Sequence, residues 1–196
     1  MKERSLLKEI SINIALEKLY SLFSGWGLRS EDFVLVDEFA YLLQGYEVVA
    51  TEVANKHLDV YVNPQQLSWK DKGERSIIPP RDSREMDDWI DFMQETGYSL
   101  DILRAKGGIL QIPSVDYPLP SGSSIRLMKV YEMTETFVEQ TLMHYSLSDV
   151  GEEKIKEWLA KLNLIQKAAK KKNDEKTAKL CGDKLVLCQE RWRAVL

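Results

Sequence analysis

The sequence predicts a small α/β domain with a mixed sheet, followed by a C-terminal helical hairpin. Two observations support this fold class. In the first 147 residues, short apolar runs with period-two alternation stand between segments with helical periodicity. From residue 148 onward, apolar residues recur only at helical spacing, in two segments separated by a polar run at 170–174. We therefore predict an α/β domain over residues 1–147 and a helical hairpin over residues 148–196.

The first elements follow in a simple order along the chain. Apolar residues at helical spacing between Ile12 and Phe23 predict a first helix that ends near Gly25. The predicted elements that follow are a strand at 33–36, a short helix ending at Gly45, and two paired strands at 46–53 and 57–62 joined by a turn around Asn55.

Beyond residue 62, the sequence alternates between polar loops and further elements. Residues 63–82 are polar and predict a long loop. Asp82 and Glu85 have the spacing of a capping box, so a helix is expected from about Ser83 to Thr96. Its expected buried residues are Met86, Trp89, Ile90 and Met93. The later expectations are a strand around Asp101, a turn at 107–108 leading into 109–112, and a Pro-, Ser- and Gly-rich loop or irregular edge at 113–124. A helix is expected from about Tyr131 to Leu147, with Met133, Phe137 and Tyr145 buried.

The candidate site residues come from two of these strands. In residues 57–62 the aliphatic side chains share one face, and His57 and Asp59 lie on the opposite face. In residues 98–103 the aliphatic side chains again share one face, and Asp101 lies opposite. If the two strands are neighbours, the three side chains converge and form a donor set for a divalent cation. The alternative is that they only solvate one face of the sheet.

Residues 33–62 resemble the nucleotidyltransferase superfamily, in its minimal, antibiotic-modifying and toxin types. Such proteins have an apolar strand, a Gly-Gly or Gly-Ser turn, a short helix, a glycine, and Asp-x-Asp on the next strand. The strand at 33–36, the helix ending at Gly45 and the carboxylate of Asp59 follow that order. The resemblance covers about residues 5–147 and implies the nucleotidyltransferase fold for this part of the chain.

The resemblance also implies roles for individual residues. Asp59 and Asp101 would be the catalytic carboxylates and metal ligands, and His57 would be an atypical metal ligand in the place of the first Asp of Asp-x-Asp. Asp37 and Glu38 stand in place of the glycine pair, where the nucleotide phosphates normally bind. The implied cofactors are an NTP and a divalent metal, Mg²⁺ or Mn²⁺, or Zn²⁺ if His57 is a ligand.

These departures from the family pattern leave two functions open. A divergent nucleotidyltransferase would transfer a nucleotidyl group from an NTP to an unknown acceptor. A catalytically inactive member would instead serve as a nucleotide- or protein-binding module. Two carboxylates at 37–38 add bulk and negative charge where a phosphate should approach, which favours the second function. Retention of Asp59 and Asp101 favours the first.

Composition indicates an ordinary globular protein. Apolar residues make up 44% of the chain and charged residues 30%. The chain contains no apolar run of the length that spans a membrane, and its first residues do not have the pattern of a secretory signal. Cys181 and Cys188 lie seven residues apart on a predicted helix, about 10 Å apart, which is beyond the reach of a disulfide. We expect a cytoplasmic protein without a membrane partner.

Charge is distributed unevenly along the chain. Residues 151–196 contain 12 Lys and Arg against 7 Asp and Glu, a net charge of +5, so the remaining residues carry −9. The basic hairpin could bind a polyanion, fold over an acidic face of its own domain or of a second subunit, or simply be solvated. It lacks the interleaved arginines and aromatics of a strong single-strand binder. We expect a nucleotide, a protein partner or a homo-oligomer formed through these helices, rather than a nucleic acid.

Overall fold

The computed structural model describes residues 2–46, 56–67, 69, 76–105, 108–145 and 147–193, and gives only the backbone of residues 2–11, 37, 147 and 148. The helices and strands in chain order are α1 Lys2–Gly25, β1 Phe33–Val36, α2 Asp37–Leu43, β2 His57–Val62, α3 Arg84–Thr96, β3 Ser99–Arg104, β4 Ser114–Pro118, β5 Ser124–Met128, α4 Val130–Phe137, α5 Leu147–Val150, α6 Glu152–Lys171 and α7 Glu175–Arg191. The predicted α/β class with a C-terminal hairpin is confirmed. The strand predicted at 46–53 lies, from residue 47 on, outside the described residues.

Five strands form one mixed sheet in the order β3-β2-β1-β5-β4. β1 pairs antiparallel with β2 and parallel with β5, β2 pairs parallel with β3, and β4 pairs antiparallel with β5. All four residues of β1 are buried, as expected for a central strand covered on both faces. At one edge, Ser76 forms an isolated antiparallel bridge with Leu103 of β3, and the Ile77 N–H donates to the Ile102 carbonyl at 2.7 Å.

The chain divides into two compact units. The first comprises Met1–Phe39 and Glu52–Met128, and the second comprises Ala40–Thr51 and Lys129–Leu196. The sheet lies in the first unit, and α4 to α7 lie in the second. The domain boundary predicted between residues 147 and 148 stays a prediction. Among the helices in the described ranges, none is both long and apolar enough to cross a membrane.

In the first unit, α1 supplies the apolar stripe that the sequence predicts. Leu16, Leu19 and Phe23 are fully buried. The Phe23 ring meets the Phe33 ring of β1 edge-on, with centroids 4.8 Å apart. Aromatic pairs of this geometry add about 0.5–1.5 kcal/mol beyond their buried area, so this contact helps to anchor the central strand.

In the second unit, two tyrosines from residues 40–46 form hydrogen bonds with residues far along the chain. The hydroxyls of Tyr41 and Thr134 lie 2.9 Å apart and are buried. The Tyr46 hydroxyl donates to the Asp174 carboxylate at 2.7 Å. Asp174 is also the N-cap of α7, because its side chain accepts from the Thr177 N–H at 3.1 Å. Residues 40–46 are therefore tied to both α4 and the start of α7.

The C-terminal hairpin consists of α6 and α7, and the connection between them is shorter than the polar run that predicts it. α6 continues to Lys171, so residues 172–174 alone join the two helices. The buried residues of the two helices are Ile155, Leu159, Leu162, Ile165 and Ala169 from α6, and Thr177, Cys181, Leu185 and Cys188 from α7. Burial raises the pKa of Cys181 to about 12 and raises that of Cys188, so both remain free thiols rather than nucleophiles.

Helix α3 begins one residue later than its capping pattern indicates. Ser83, not Asp82, is the N-cap, and its hydroxyl accepts from the Met86 N–H at 3.1 Å. Asp82 instead has a φ of +61°. The predicted buried face is also partly wrong, because Ile90 is exposed and Phe92 is the buried residue. The helix therefore turns a slightly different side toward the core.

Two later predictions differ from the structure in part. The loop or irregular edge predicted at 113–124 contains the regular edge strand β4, which pairs with an unpredicted strand, β5. The single helix predicted from about Tyr131 to Leu147 ends at Phe137 and continues as a π-helical turn over Val138–Leu142. Tyr145, an expected core residue, is exposed. The β4–β5 pair was missed because its alternation is brief and lies among Pro, Ser and Gly residues.

We predict that Leu35→Ala destabilises the first unit by about 2–5 kcal/mol, because it leaves a cavity in the central strand. Leu35 is fully buried and has Val60 of β2 and Leu127 of β5 as its register partners. The measurement is the free energy of unfolding in urea. Leu110→Ala is the matched control, because Leu110 is 72% exposed, and its loss should stay within about 0.5 kcal/mol. Equal losses would contradict this assignment of the core.

We predict that the stabilising effect of the Asp174 carboxylate is lost in acid. Burial alone would raise the pKa of Asp174, but hydrogen bonds from Thr177 and Tyr46 outweigh burial, so its pKa is lowered. The carboxylate therefore stabilises the fold above its unfolded pKa of about 3.9, and this contribution disappears as pH falls through the lowered folded value.

The measurement is the unfolding free energy of wild type minus that of Asp174→Asn from pH 7 down to pH 2. The difference should be positive at neutral pH and shrink in acid. The same difference is then measured in proteins that carry Tyr46→Phe, which removes the hydrogen bond from Tyr46 to Asp174. In that background the difference in unfolding free energy should depend less on pH. A difference that does not change with pH would contradict the prediction.

Candidate metal-binding site

The pairing between β2 and β3 places the candidate site residues side by side. The two strands are parallel and in register, with Asp59 opposite Asp101 and His57 opposite Ser99. Because side chains alternate along a strand, all four residues lie on the same face of the sheet. The alternate residues of both strands, among them Leu58 and Leu100, are buried on the other face. The convergence expected from the two alternating strands is therefore observed.

The imidazole of His57 lies between the two carboxylates. Its Nε2 atom is 3.1 Å from Asp59 Oδ1 and 3.2 Å from Asp101 Oδ2. One donor atom from each of the three residues can be chosen so that all lie within 4.8 Å of one another. Among the residues that the structure describes, no other set of three or more His, Cys, Asp or Glu side chains brings its donor atoms this close together.

The site is open on one side and supported on the other. Asp59 is the most protected member, with 17% of its side chain exposed, whereas His57 and Asp101 are 44% and 57% exposed. Asp59 therefore has the position of an anchoring residue, and Asp101 lies at the solvent side. This arrangement leaves room for further ligands, such as water or phosphate oxygens, on the exposed side.

The donor atoms fit a divalent cation in chemistry and in spacing. Neighbouring ligands of an ion that binds at about 2.0–2.1 Å lie about 3.0–3.4 Å apart, which matches the distances from Nε2 to the carboxylates. Two carboxylates alone suit Mg²⁺ or Mn²⁺, and an added imidazole shifts the preference toward Zn²⁺ and related ions. A protonated imidazole bridging both carboxylates would satisfy the same distances. A divalent cation would balance both negative charges, whereas a protonated imidazole would balance one of them.

The predicted phosphate-binding residues have a different local structure from the expected turn. Asp37 and Glu38 are the first two residues of α2, which follows β1 without an intervening turn. Val36 is the register partner of Asp59, so the backbone of Asp37 lies at the same end of the sheet as the site. The side chain of Asp37 lies outside the described part of the structure, and Glu38 is half-buried. Their assignment to nucleotide binding stays a prediction.

Ser99 is a site residue that sequence reasoning did not single out. Its Oγ atom is 2.6 Å from His57 Nδ1, and its hydroxyl donates to the backbone carbonyl of Lys56 at 3.1 Å. The signal was present, because Ser99 precedes Asp101 by two residues and so shares its face. What the sequence could not supply is the register that sets Ser99 opposite His57.

Comparisons with protein-family models, with curated proteins and with solved structures find no match to this chain. The resemblance to nucleotidyltransferases therefore depends on the pattern of residues 33–62 and stays a prediction. The chemistry available to the site is accordingly inferred from its own donor atoms.

We predict that the protein binds one Zn²⁺ or Mn²⁺ ion and that Asp101→Asn weakens this binding more than about tenfold, since even outer partners of a metal ligand cause losses of that size. The amide keeps the shape of the side chain but removes the negative charge. The measurement is isothermal titration calorimetry with each metal chloride. Asp116→Asn, which changes an exposed aspartate on β4, is the control and should bind like wild type. Equal affinities of wild type and Asp101→Asn would rule out a metal site at this cluster.

Proposed function

We propose that this protein is a divergent, metal-dependent nucleotidyltransferase that moves a nucleotidyl group from an NTP to an acceptor hydroxyl. The observation that supports this proposal is the convergence of His57, Asp59 and Asp101 on two adjacent, in-register strands. This is where the resemblance requires its carboxylates, on the strand after the short helix and on a neighbouring strand.

Each residue of the cluster has a role that follows from its position. Asp59 is the most protected and is the principal metal ligand. His57 would supply Nε2 as a ligand to the same ion, and its Nδ1 lies 2.6 Å from Ser99 Oγ. Asp101 completes the ligand set or, from its exposed position, acts as the base. When bound, a divalent cation supplies positive charge that offsets the triphosphate and the charge that develops during transfer.

The reaction has a simple balance of bonds. The acceptor oxygen attacks the α-phosphorus of the NTP, the bond between that phosphorus and the β-phosphate oxygen breaks, and pyrophosphate leaves. The proton of the acceptor hydroxyl goes to Asp101 or to solvent. Asp101 can take this proton because more than half of its side chain is exposed, so an acceptor can approach it directly.

A second candidate function is a catalytically inactive binding module. The observation that favours it is the continuous passage from β1 into α2, with two carboxylate residues, Asp37 and Glu38, at the start of the helix. A glycine turn would offer free backbone N–H groups to phosphates, whereas acidic side chains repel them. On this proposal the C-terminal helices mediate association with a protein partner or a second copy, through exposed apolar residues such as Val186 and Leu187.

We also propose a cytoplasmic location. Both cysteines are free in the described structure, as is typical of proteins in a reducing compartment. An NTP as donor substrate fits the same compartment. A nucleotide is therefore the proposed small-molecule partner, and neither a nucleic acid nor a membrane is proposed as a partner.

We predict metal-dependent binding of at least one NTP, with an affinity that Asp59→Ala lowers more than about tenfold because the principal ligand is removed. The measurement is calorimetric titration of each NTP with Mg²⁺, Mn²⁺ or Zn²⁺ present, followed by an assay for pyrophosphate release. Asp116→Ala is the matched control. If no NTP binds with any of the three ions, the transferase proposal fails and the second candidate function becomes the better one.

A further inference from the structure

We propose that Ser99 is a positioning residue that holds His57 with its Nε2 lone pair facing Asp59 and Asp101, and thereby gives the site a preference for Zn²⁺-like ions over Mg²⁺. The inference deepens the proposed function and rests on it, because it concerns the same cation site. It adds a positioning residue that the family pattern in the sequence does not supply.

The hydrogen bonds around Ser99 determine which nitrogen of His57 carries a proton. The carbonyl of Lys56 can only accept a hydrogen bond, so the Ser99 hydroxyl donates its single proton to that carbonyl. The Ser99 oxygen must then accept at its second contact, 2.6 Å from His57 Nδ1. Nδ1 therefore carries the proton in this arrangement, and a neutral ring has its lone pair on Nε2.

The lone pair faces the two carboxylates. Nε2 lies 3.1 Å from Asp59 Oδ1 and 3.2 Å from Asp101 Oδ2, so with a neutral ring three electron-rich atoms meet at one point. A cation at that point resolves the repulsion and uses all three atoms as ligands. In metal sites the other imidazole nitrogen commonly donates to an oxygen of the protein, which fixes the ring and its tautomer. Ser99 and the Lys56 carbonyl form such a chain of hydrogen bonds.

Ser99 also affects ion selectivity, because it acts through the imidazole alone. Mg²⁺ prefers oxygen ligands and gains little from an imidazole, whereas Zn²⁺ binds imidazole nitrogen strongly. Releasing the ring from Ser99 should therefore weaken Zn²⁺ binding and leave Mg²⁺ binding, which depends on Asp59 and Asp101, nearly unchanged. A structural defect in the strand would weaken both ions.

The first experiment is a double-mutant cycle with the full-length protein. The affinities for Zn²⁺ and for Mg²⁺ are measured by calorimetry for wild type, Ser99→Ala, His57→Ala and the double variant. We expect Ser99→Ala to lower Zn²⁺ affinity about 10–100-fold in the wild-type background and to have no further effect once His57 is absent. Ser99→Thr keeps the hydroxyl and should restore affinity close to wild type.

The second experiment observes the histidine ring directly. The chain contains two histidines, so His144→Gln leaves His57 as the only imidazole signal. His144 is exposed beside Tyr145 and outside the cluster, which makes this a mild change. In ¹H–¹⁵N spectra of the Zn²⁺-loaded protein, we expect a protonated Nδ1 whose proton exchanges slowly with water. In Ser99→Ala that proton should exchange faster.

The outcomes separate this inference from the proposed function. If Zn²⁺ does not bind to wild type, this inference fails, whereas the proposed function fails only if no NTP binds with Mg²⁺, Mn²⁺ or Zn²⁺. If Zn²⁺ binds equally well to wild type and Ser99→Ala, or if Ser99→Ala causes the same loss with and without His57, the site stands and the positioning role of Ser99 is overturned. An unprotonated Nδ1 in the loaded protein would also overturn it. Loss of Zn²⁺ affinity only in the presence of His57 supports the inference.

Discussion

The in-register pairing of β2 with β3 is the constraint on which the rest of the site depends. Burial of the aliphatic face of both strands determines which way each strand faces, because a slip of one residue would turn its carboxylate into the core. The same force that forms the core therefore presents Asp59 and Asp101 together on the other face. Repulsion between two neighbouring carboxylates is the cost of this arrangement, and a cation bound between them and His57 Nε2 would reduce that cost.

The sequence predicted the fold best in strands where apolar residues at alternate positions mark the buried face. β1 and β2 have their predicted bounds, and the faces of β2 and β3 are as expected, because period-two alternation reports burial directly. The sequence failed where competing local signals were close in energy. Ser83 and Asp82 are both good N-caps, and the structure uses Ser83. The contact of Ser99 with His57 was not predictable, because strand register is set by long-range packing.

The second unit is organised by polar contacts more than its apolar stripes suggest. Tyr41 lies in α2 and Tyr46 lies three residues beyond its end, yet their hydroxyls reach Thr134 and Asp174. Buried hydroxyls of this kind must find partners, so each bond restricts the packing to arrangements that satisfy it. Helical periodicity placed α6 and α7 correctly but carries no information about such bonds, since they join residues 93 and 128 positions apart.

The edges of the sheet bear on how the protein behaves in a crowded solution. The segment at Ser76 and Ile77 lies along the outer edge of β3, and Ile77 is buried there. At the opposite edge, β4 carries the charged Asp116 and ends at Pro118, both of which oppose the addition of another strand. Chain-to-chain growth of the sheet is thus disfavoured at either end. Even at high protein concentration, the strand that bears Asp101 keeps β2 on one side and the segment at Ser76 and Ile77 on the other.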